Sequence, residues 1–273
     1  MTPTAGAGAA GAPSPYLRVR AAIAAEWIKL RSLRSLLVTL AATAVFFVGW
    51  ACFVCSNNAG NWPKLDAAQR AGFDPLDVNL QVLRIGVLFF GVLGALVVTS
   101  EYGNGLIRTT LAATPQRGLI LAAKTGVFGA IALLSSAAIC LTAFLAGQGI
   151  LSGKVPSLGL GDPGVPGHLL GAICYLTAGG LMGVFIGVLA RSTAVAITSV
   201  FGLFLLLPIL LQNIPHDAVW RHTAPYLPSN AGEALWHGHA TDVVAPATGV
   251  LALAAYLAVL GTAATISLRG RDA

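Results

Sequence analysis

The chain has 273 residues, of which 56% are apolar and only 10% charged, and it carries a formal charge of +6. With a mean hydropathy of +0.79, it lies outside the range of a soluble globular domain. The blocks polar enough for water are 1–35, 57–81, 101–123, 151–167 and 213–246. None can bury an independent core, so any soluble domain working with this protein is expected on another chain.

Six apolar runs fill the rest: 36–55, 82–100, 124–148, 168–190, 194–212 and 247–268. At about 1.5 Å per helical residue, each can cross a hydrocarbon core of about 30 Å. The expected fold is therefore all-α, a polytopic bundle of six transmembrane helices preceded by an N-terminal interfacial amphipathic helix.

Residues 1–15 are small and rich in Pro and Gly, which predicts a disordered tail. From 16 to 35 the pattern changes. Ile23, Trp27 and Leu30 share a helical face, and Lys29, Arg31 and Arg34 supply charge. This composition suits a cytoplasmic helix lying along the membrane surface with Trp27 at headgroup depth, the alternative being a plain basic anchor for the first span. Cys52 and Cys55 read as small apolar helix residues rather than a redox or metal pair. Arg84, just inside the second span, is expected to snorkel to the headgroups.

In the fourth span Gly171, Gly179, Gly183 and Gly187 are separated by multiples of four. Such a ridge admits another helix at close range, from this chain or from a second one. The segment 213–246 is aromatic and half-apolar. Asn230 and Glu233 suggest the N-cap and N3 of a short helix that dips back into the membrane. The last residues, 269–273, form a short basic tail.

Charge gives the topology. With the N-terminus inside, eleven of the sixteen basic residues fall on inner segments, so the positive-inside rule predicts both termini in the cytoplasm. No basic face with interleaved aromatics is present, which argues against a nucleic-acid partner.

Several chemistries are missing. Gly153-Lys154 is the nearest approach to a phosphate-binding loop, but Gln148 and Val155 stand where Gly and Ser or Thr are required. No acidic residue lies mid-span, which disfavours a self-driven ion-coupled carrier and suits amphiphilic or apolar cargo. His237 and His239 lack nameable third and fourth ligands, so no metal site is expected.

One inner segment stands apart: Glu101, Tyr102, Gly103, Asn104, Gly105, Leu106, Ile107, Arg108, Thr109, Thr110 and Leu111, followed by Pro115, Gln116, Arg117 and Lys124. Gly103 and Gly105 permit a sharp turn, and a short helix can run from Leu106 to Ala113 before Pro115 ends it. On physics alone this is equally a force-bearing knob or an ordinary basic loop.

Three stretches together resemble the ABC-2 type permease subunits of bacterial ABC transporters, particularly those common in actinobacteria. Glu26-Trp27-Ile28-Lys29-Leu30-Arg31-Ser32 resembles the family's entry helix. Glu101 through Leu111, with Pro115 and Arg117, resembles its ATPase-coupling segment. Leu227-Pro228-Ser229-Asn230-Ala231-Gly232 resembles the outer segment before the last span. Asn104 and Gln116 depart from the pattern, where a small hydroxyl residue and a second basic residue are common.

The resemblance implies a transport subunit in the bacterial plasma membrane, paired with a second permease copy or a sister permease. It also implies separate ATP-binding subunits carrying the ATP and Mg, so that this chain binds no cofactor. Glu101 and Arg108 would make polar contacts at the coupling joint, 101–117, and the usual direction is export of drugs, antibiotics or lipid-like molecules. Two other classes stay open: a membrane-integral enzyme or metal-binding module using 213–246, and a non-transporting immunity or sensor subunit.

Overall fold

The computed structural model describes residues 15–32, 34–103, 117–212, 223–237 and 244–270. Six helical stretches are long and apolar enough to cross a membrane: Leu36–Lys64, Pro75–Gly103, Gly118–Leu151, Val165–Ala190, Thr193–Leu211 and Pro246–Gly270. Among the described residues there is no strand. The tail 1–14 lies outside them.

The elements, in chain order, are α1 (Pro15–Ser32), α2 (Arg34–Asn61), α3 (Ala67–Ala71), α4 (Pro75–Leu80), α5 (Leu83–Gly103), α6 (Arg117–Leu151) and α7 (Val165–Ala190). Then follow α8 (Thr193–Phe201), a π-helical turn (Gly202–Leu206), α9 (Leu207–Gln212), α10 (Pro228–Trp236) and α11 (Pro246–Gly270). The end of the bundle that carries α1 and the last turn of α11 is the basal end, and the end that carries α10 is the apical one.

α5 and α7 form the spine. Their span windows are 72% and 78% buried, against 17%, 22% and 17% for the first, fifth and sixth spans. The glycine ridge explains the closeness. A Cβ on Gly183 would stand 1.9 Å from the Gly91 carbonyl oxygen, and one on Gly94 would stand 2.0 Å from that of Gly180. A Cβ on Gly187 would meet the Ala95 backbone at 2.9 Å, and Gly179 receives the side chain of Val87. The partner of this ridge is thus a helix of the same chain, packed backbone to backbone as small-residue spacing allows. Gly171 continues the row but serves a different neighbour: its Cβ would lie 2.1 Å from the Leu235 carbonyl oxygen in α10.

The first span outlasts its apolar run. Asn57, Asn58 and Asn61 extend α2, with the Asn58 amide donating to the Val54 carbonyl at 2.9 Å, so polar side chains satisfy themselves on the helix instead of ending it. α3 starts in a capping box in which Asp66 Oδ1 accepts from Gln69 N–H at 2.7 Å and Gln69 Oε1 accepts from Asp66 N–H at 3.0 Å. Asp74 Oδ1 caps α4 through Leu76 N–H at 2.8 Å. Asn79, fully buried, donates to the Ala143 and Phe144 carbonyls at 3.4 and 3.3 Å, tying α4 to α6.

Candidate functional site

A hydrophobic bundle tolerates buried charge only when the charges are paired. Four charged side chains from three helices meet at the basal end. Lys124, near the start of α6, places its Nζ 2.7 Å from Glu26 Oε2 in α1 and 2.7 Å from Glu101 Oε1 at the end of α5. Lys29, one turn after Glu26, reaches Glu26 Oε1 at 3.1 Å and Glu101 Oε1 at 3.2 Å. Two carboxylates and two ammonium groups leave the cluster formally neutral.

Burial is deep: Glu26, Lys124 and Glu101 are 3%, 4% and 7% exposed. Lys29 sits at the rim. Burial there works to lower its pKa, but the carboxylates of Glu101 and Glu26 outweigh that and hold it above the ordinary lysine value. The other oxygen of Glu101, Oε2, is buried without a hydrogen-bond partner.

The helices bring these residues together for simple reasons. In α1, Leu30 and Glu26 are buried at 2% and 3% while Ile23 and Trp27 stay half-exposed, so the turn bearing Glu26 and Lys29 faces inward. Lys124 is the single charged residue of 118–151. Its long stem runs along apolar neighbours and delivers the ammonium to the carboxylates.

Next to Glu101, Tyr102 turns to the other side of α5. The Arg191 guanidinium lies 5.8 Å from its ring centroid, and Arg191 Nη2 donates to the Ser267 carbonyl in α11 at 3.4 Å. Arg191 has a left-handed backbone, φ 52°, and its N–H closes α7 on the Gly187 carbonyl at 3.1 Å. Two successive residues, Glu101 and Tyr102, thus lock the basal end of α5 to α1 and α6 on one side and to α7 and α11 on the other.

Of the coupling-segment residues singled out by sequence, Glu101 and Gly103 end α5, and Arg117 begins α6. Gly105, Arg108, Thr109, Thr110 and Pro115 lie outside the described residues. Trp27 and Arg31 stand on α1 apart from the quartet, whereas Lys29 is in it. Sequence reasoning placed Glu26 and Lys29 on the entry helix and Lys124 after the inner segment, without pairing any of them with Glu101. The available signal was sparse charge: Glu26 is the sole acid of α1 and Glu101 the sole acid of α5.

At the apical end two expectations need correcting. Arg84, expected to be left to the headgroups, has a partner within the protein. Its Nε donates to Glu233 Oε1 at 2.9 Å, Nη2 reaches the same oxygen, and the guanidinium lies 5.7 Å from the Trp236 ring centroid. Asn230 is not an N-cap either. α10 starts at Pro228 after Leu227, and Asn230 Nδ2 donates back to the Ala224 carbonyl at 2.9 Å. Proline at the first helical position removes the need for a side-chain cap on its missing N–H. Pro228 is buried, as is the fully enclosed Trp236.

His237 Nδ1 stands 2.6 Å from Asp77 Oδ1, an ion pair whenever the ring is protonated. His239 lies outside the described residues, among which no group of three or more His, Cys, Asp or Glu could hold a metal. Cys52, Cys55, Cys140 and Cys174 are all free thiols.

A family model described as ABC-2 family transporter protein matches residues 22–214, which takes in the quartet, the spine and the first five spans. No curated protein matches the chain at a significant level.

Proposed function

Because the chain belongs to the ABC-2 family of transporter membrane proteins, we propose that it couples ATP hydrolysis on a separate subunit to substrate passage through the joint formed by Glu26, Lys29, Glu101 and Lys124. Membership makes it the multi-pass permease subunit, without a catalytic domain of its own, and implies an ATP-binding partner. The site of coupling, the orientation and the cargo are our reading.

The observation that carries this reading is the position of the quartet. The segment 104–116 connects α5 to α6, and Glu101 and Lys124 flank it on those two helices, clamped together at 2.7 Å. A push delivered between them by the ATP-binding subunit reaches α5 and α6 as a pair, and α1 through Glu26. By the resemblance, Arg108 would contact that subunit and Gly105 and Pro115 would shape the segment that follows Gly103, the last residue of α5. Glu101 then acts as a positioning residue inside the permease.

The basal end is cytoplasmic in this reading, as the excess of Lys and Arg there supports. The poorly covered first, fifth and sixth spans leave room for a second permease copy or a sister permease. Spans without mid-membrane acids suit export of an amphiphilic or apolar molecule from the bacterial plasma membrane.

The test is ATP hydrolysis by the permease reconstituted with the ATP-binding subunit that copurifies with it. Arg108→Glu and Glu101→Gln should each leave membrane insertion and nucleotide binding intact while abolishing the permease-dependent change in hydrolysis rate. Normal coupling in both variants would dismiss the joint.

A further inference from the structure

Between α6, α7 and α11, at the basal half of the bundle, lies a groove of about 640 Å³. Its walls are Gly118, Ala122 and Gly126 of α6, Phe185 of α7, and Leu257 and Gly261 of α11, among others. Gly118 to Gly126 and Leu257 to Thr265 each cover about 12 Å at about 1.5 Å per residue. One leaflet of a hydrocarbon core is about 15 Å deep. The groove therefore comes close to a single leaflet in depth, and its lining is mostly apolar, with Thr125, Thr262 and Thr265 among it.

Its mouth is charged. A Cβ on Gly118 would lie 3.6 Å from Nη2 of Arg269, so the arginine stands directly over the basal end of the groove. Arg269, in the last turn of α11, is exposed and has no hydrogen-bond or ion-pair partner among the described residues. It differs in this from Arg84, Lys29, Lys124 and Arg191, which all have one. α6 also begins one residue before Gly118, which puts its positive helix end at the same level. An unpaired guanidinium above an apolar slot between transmembrane helices matches the head and tail of an anionic lipid.

We propose that this groove binds an anionic phospholipid of the leaflet facing the basal end, with one acyl chain between α6 and α11 and the phosphate on Arg269. The glycines and alanine of α6 make the room: a Cβ on Gly126 would have no atom within 4 Å. Ala122 and Gly126 also border a second slot of about 400 Å³ beneath Ile23 and Trp27 of α1. A bound lipid is thereby placed within reach of the helix that carries Glu26 and Lys29. Naming the leaflet as cytoplasmic rests on the orientation proposed above.

Native mass spectrometry of the full-length protein in mild detergent, titrated with phosphatidylglycerol or phosphatidylcholine of identical chains, tests the proposal. Phosphatidylglycerol should bind about fivefold more tightly, the factor one arginine supplies toward an anionic surface. Arg269→Gln should bring the two lipids level, and Gly126→Leu, which fills open space, should weaken both severalfold. Equal affinities in the wild type, a preference that survives Arg269→Gln, or unchanged binding in Gly126→Leu would each overturn it. So would a dimer that Gly126→Leu dissociates without any lipid adduct, which assigns the groove to a second copy. The detergent assay is blind to orientation, which cysteine labelling from the two sides reads separately.

Discussion

The carboxylate of Glu26 and the ammonium of Lys124 meet at 2.7 Å although 98 positions separate them in the chain. Both are nearly sealed from solvent. The contact fastens α1, which precedes the first span, to the beginning of the third, and Glu101 shares the same ammonium at 2.7 Å. α1 is thereby made part of the bundle's basal collar.

Removing Lys124 leaves two buried carboxylates sharing one rim lysine. Lys124→Met should destabilise the protein by about 3–5 kcal/mol, the range for a buried pair that loses one partner. Adding Glu101→Gln restores formal neutrality between Glu26 and Lys29, so the double variant should be more stable than Lys124→Met alone. Thermal unfolding in detergent measures both. A double variant weaker than the single one by the full sum of two independent losses would contradict the shared-charge account.

Lys29 gives the pH dependence. Its pKa is raised in the folded state, so its contribution is complete below the ordinary lysine value of about 10.4 and is lost as pH climbs through the folded value. The difference in melting temperature between wild type and Lys29→Gln should be flat from neutral pH upward and shrink only above that range. A difference that fades between neutrality and mild alkali would contradict the assignment.

The α5–α7 spine predicts a sharp steric contrast. Gly183→Leu drives a side chain into the Gly91 backbone, where even a Cβ would be 1.9 Å from oxygen. The cost should exceed the about 1–3 kcal/mol usual for an overpacked core, because the obstacle is main chain that cannot change rotamer. Gly149→Leu, with nothing within 4 Å of its Cβ, should be close to neutral. Yield of monodisperse protein after membrane extraction separates the two.

At the apical end, Arg84 is half-exposed, so its pair with Glu233 should add little to global stability. Its effect is local. Arg84→Gln should speed hydrogen exchange across 228–236 by several-fold while leaving α5 and α7 protected. Equal exchange in the two proteins would mean that α10 is held by burial of Trp236 and Leu235 alone.

The legible and illegible parts of this molecule divide by the range of the forces involved. Six spans follow from apolar runs, since lipid imposes helix on any stretch that must satisfy its own backbone. The spacing of Gly179, Gly183 and Gly187 announced close packing, but its partner, α5, is set by tertiary arrangement. The quartet was hidden for the same reason. Glu26, Glu101 and Lys124 sit on three elements, and each alone reads as an ordinary charge at a helix end. Asn230 and Glu233 misled because their i, i+3 spacing mimics a cap, whereas Pro228 had already opened the helix and Arg84, distant in sequence, had claimed the glutamate.

Main chain lies against main chain where Gly183 meets Gly91, Gly94 meets Gly180 and Gly187 meets Ala95, which leaves little compressible side-chain layer there. Densely packed interiors pass strain on with little loss. Whatever displaces the foot of α5 must therefore carry α7 along like the second rail of a ladder. The relative motion that opens a passage is left to the thinly covered helices α2, α8, α9 and α11, which would slide against this rigid pair.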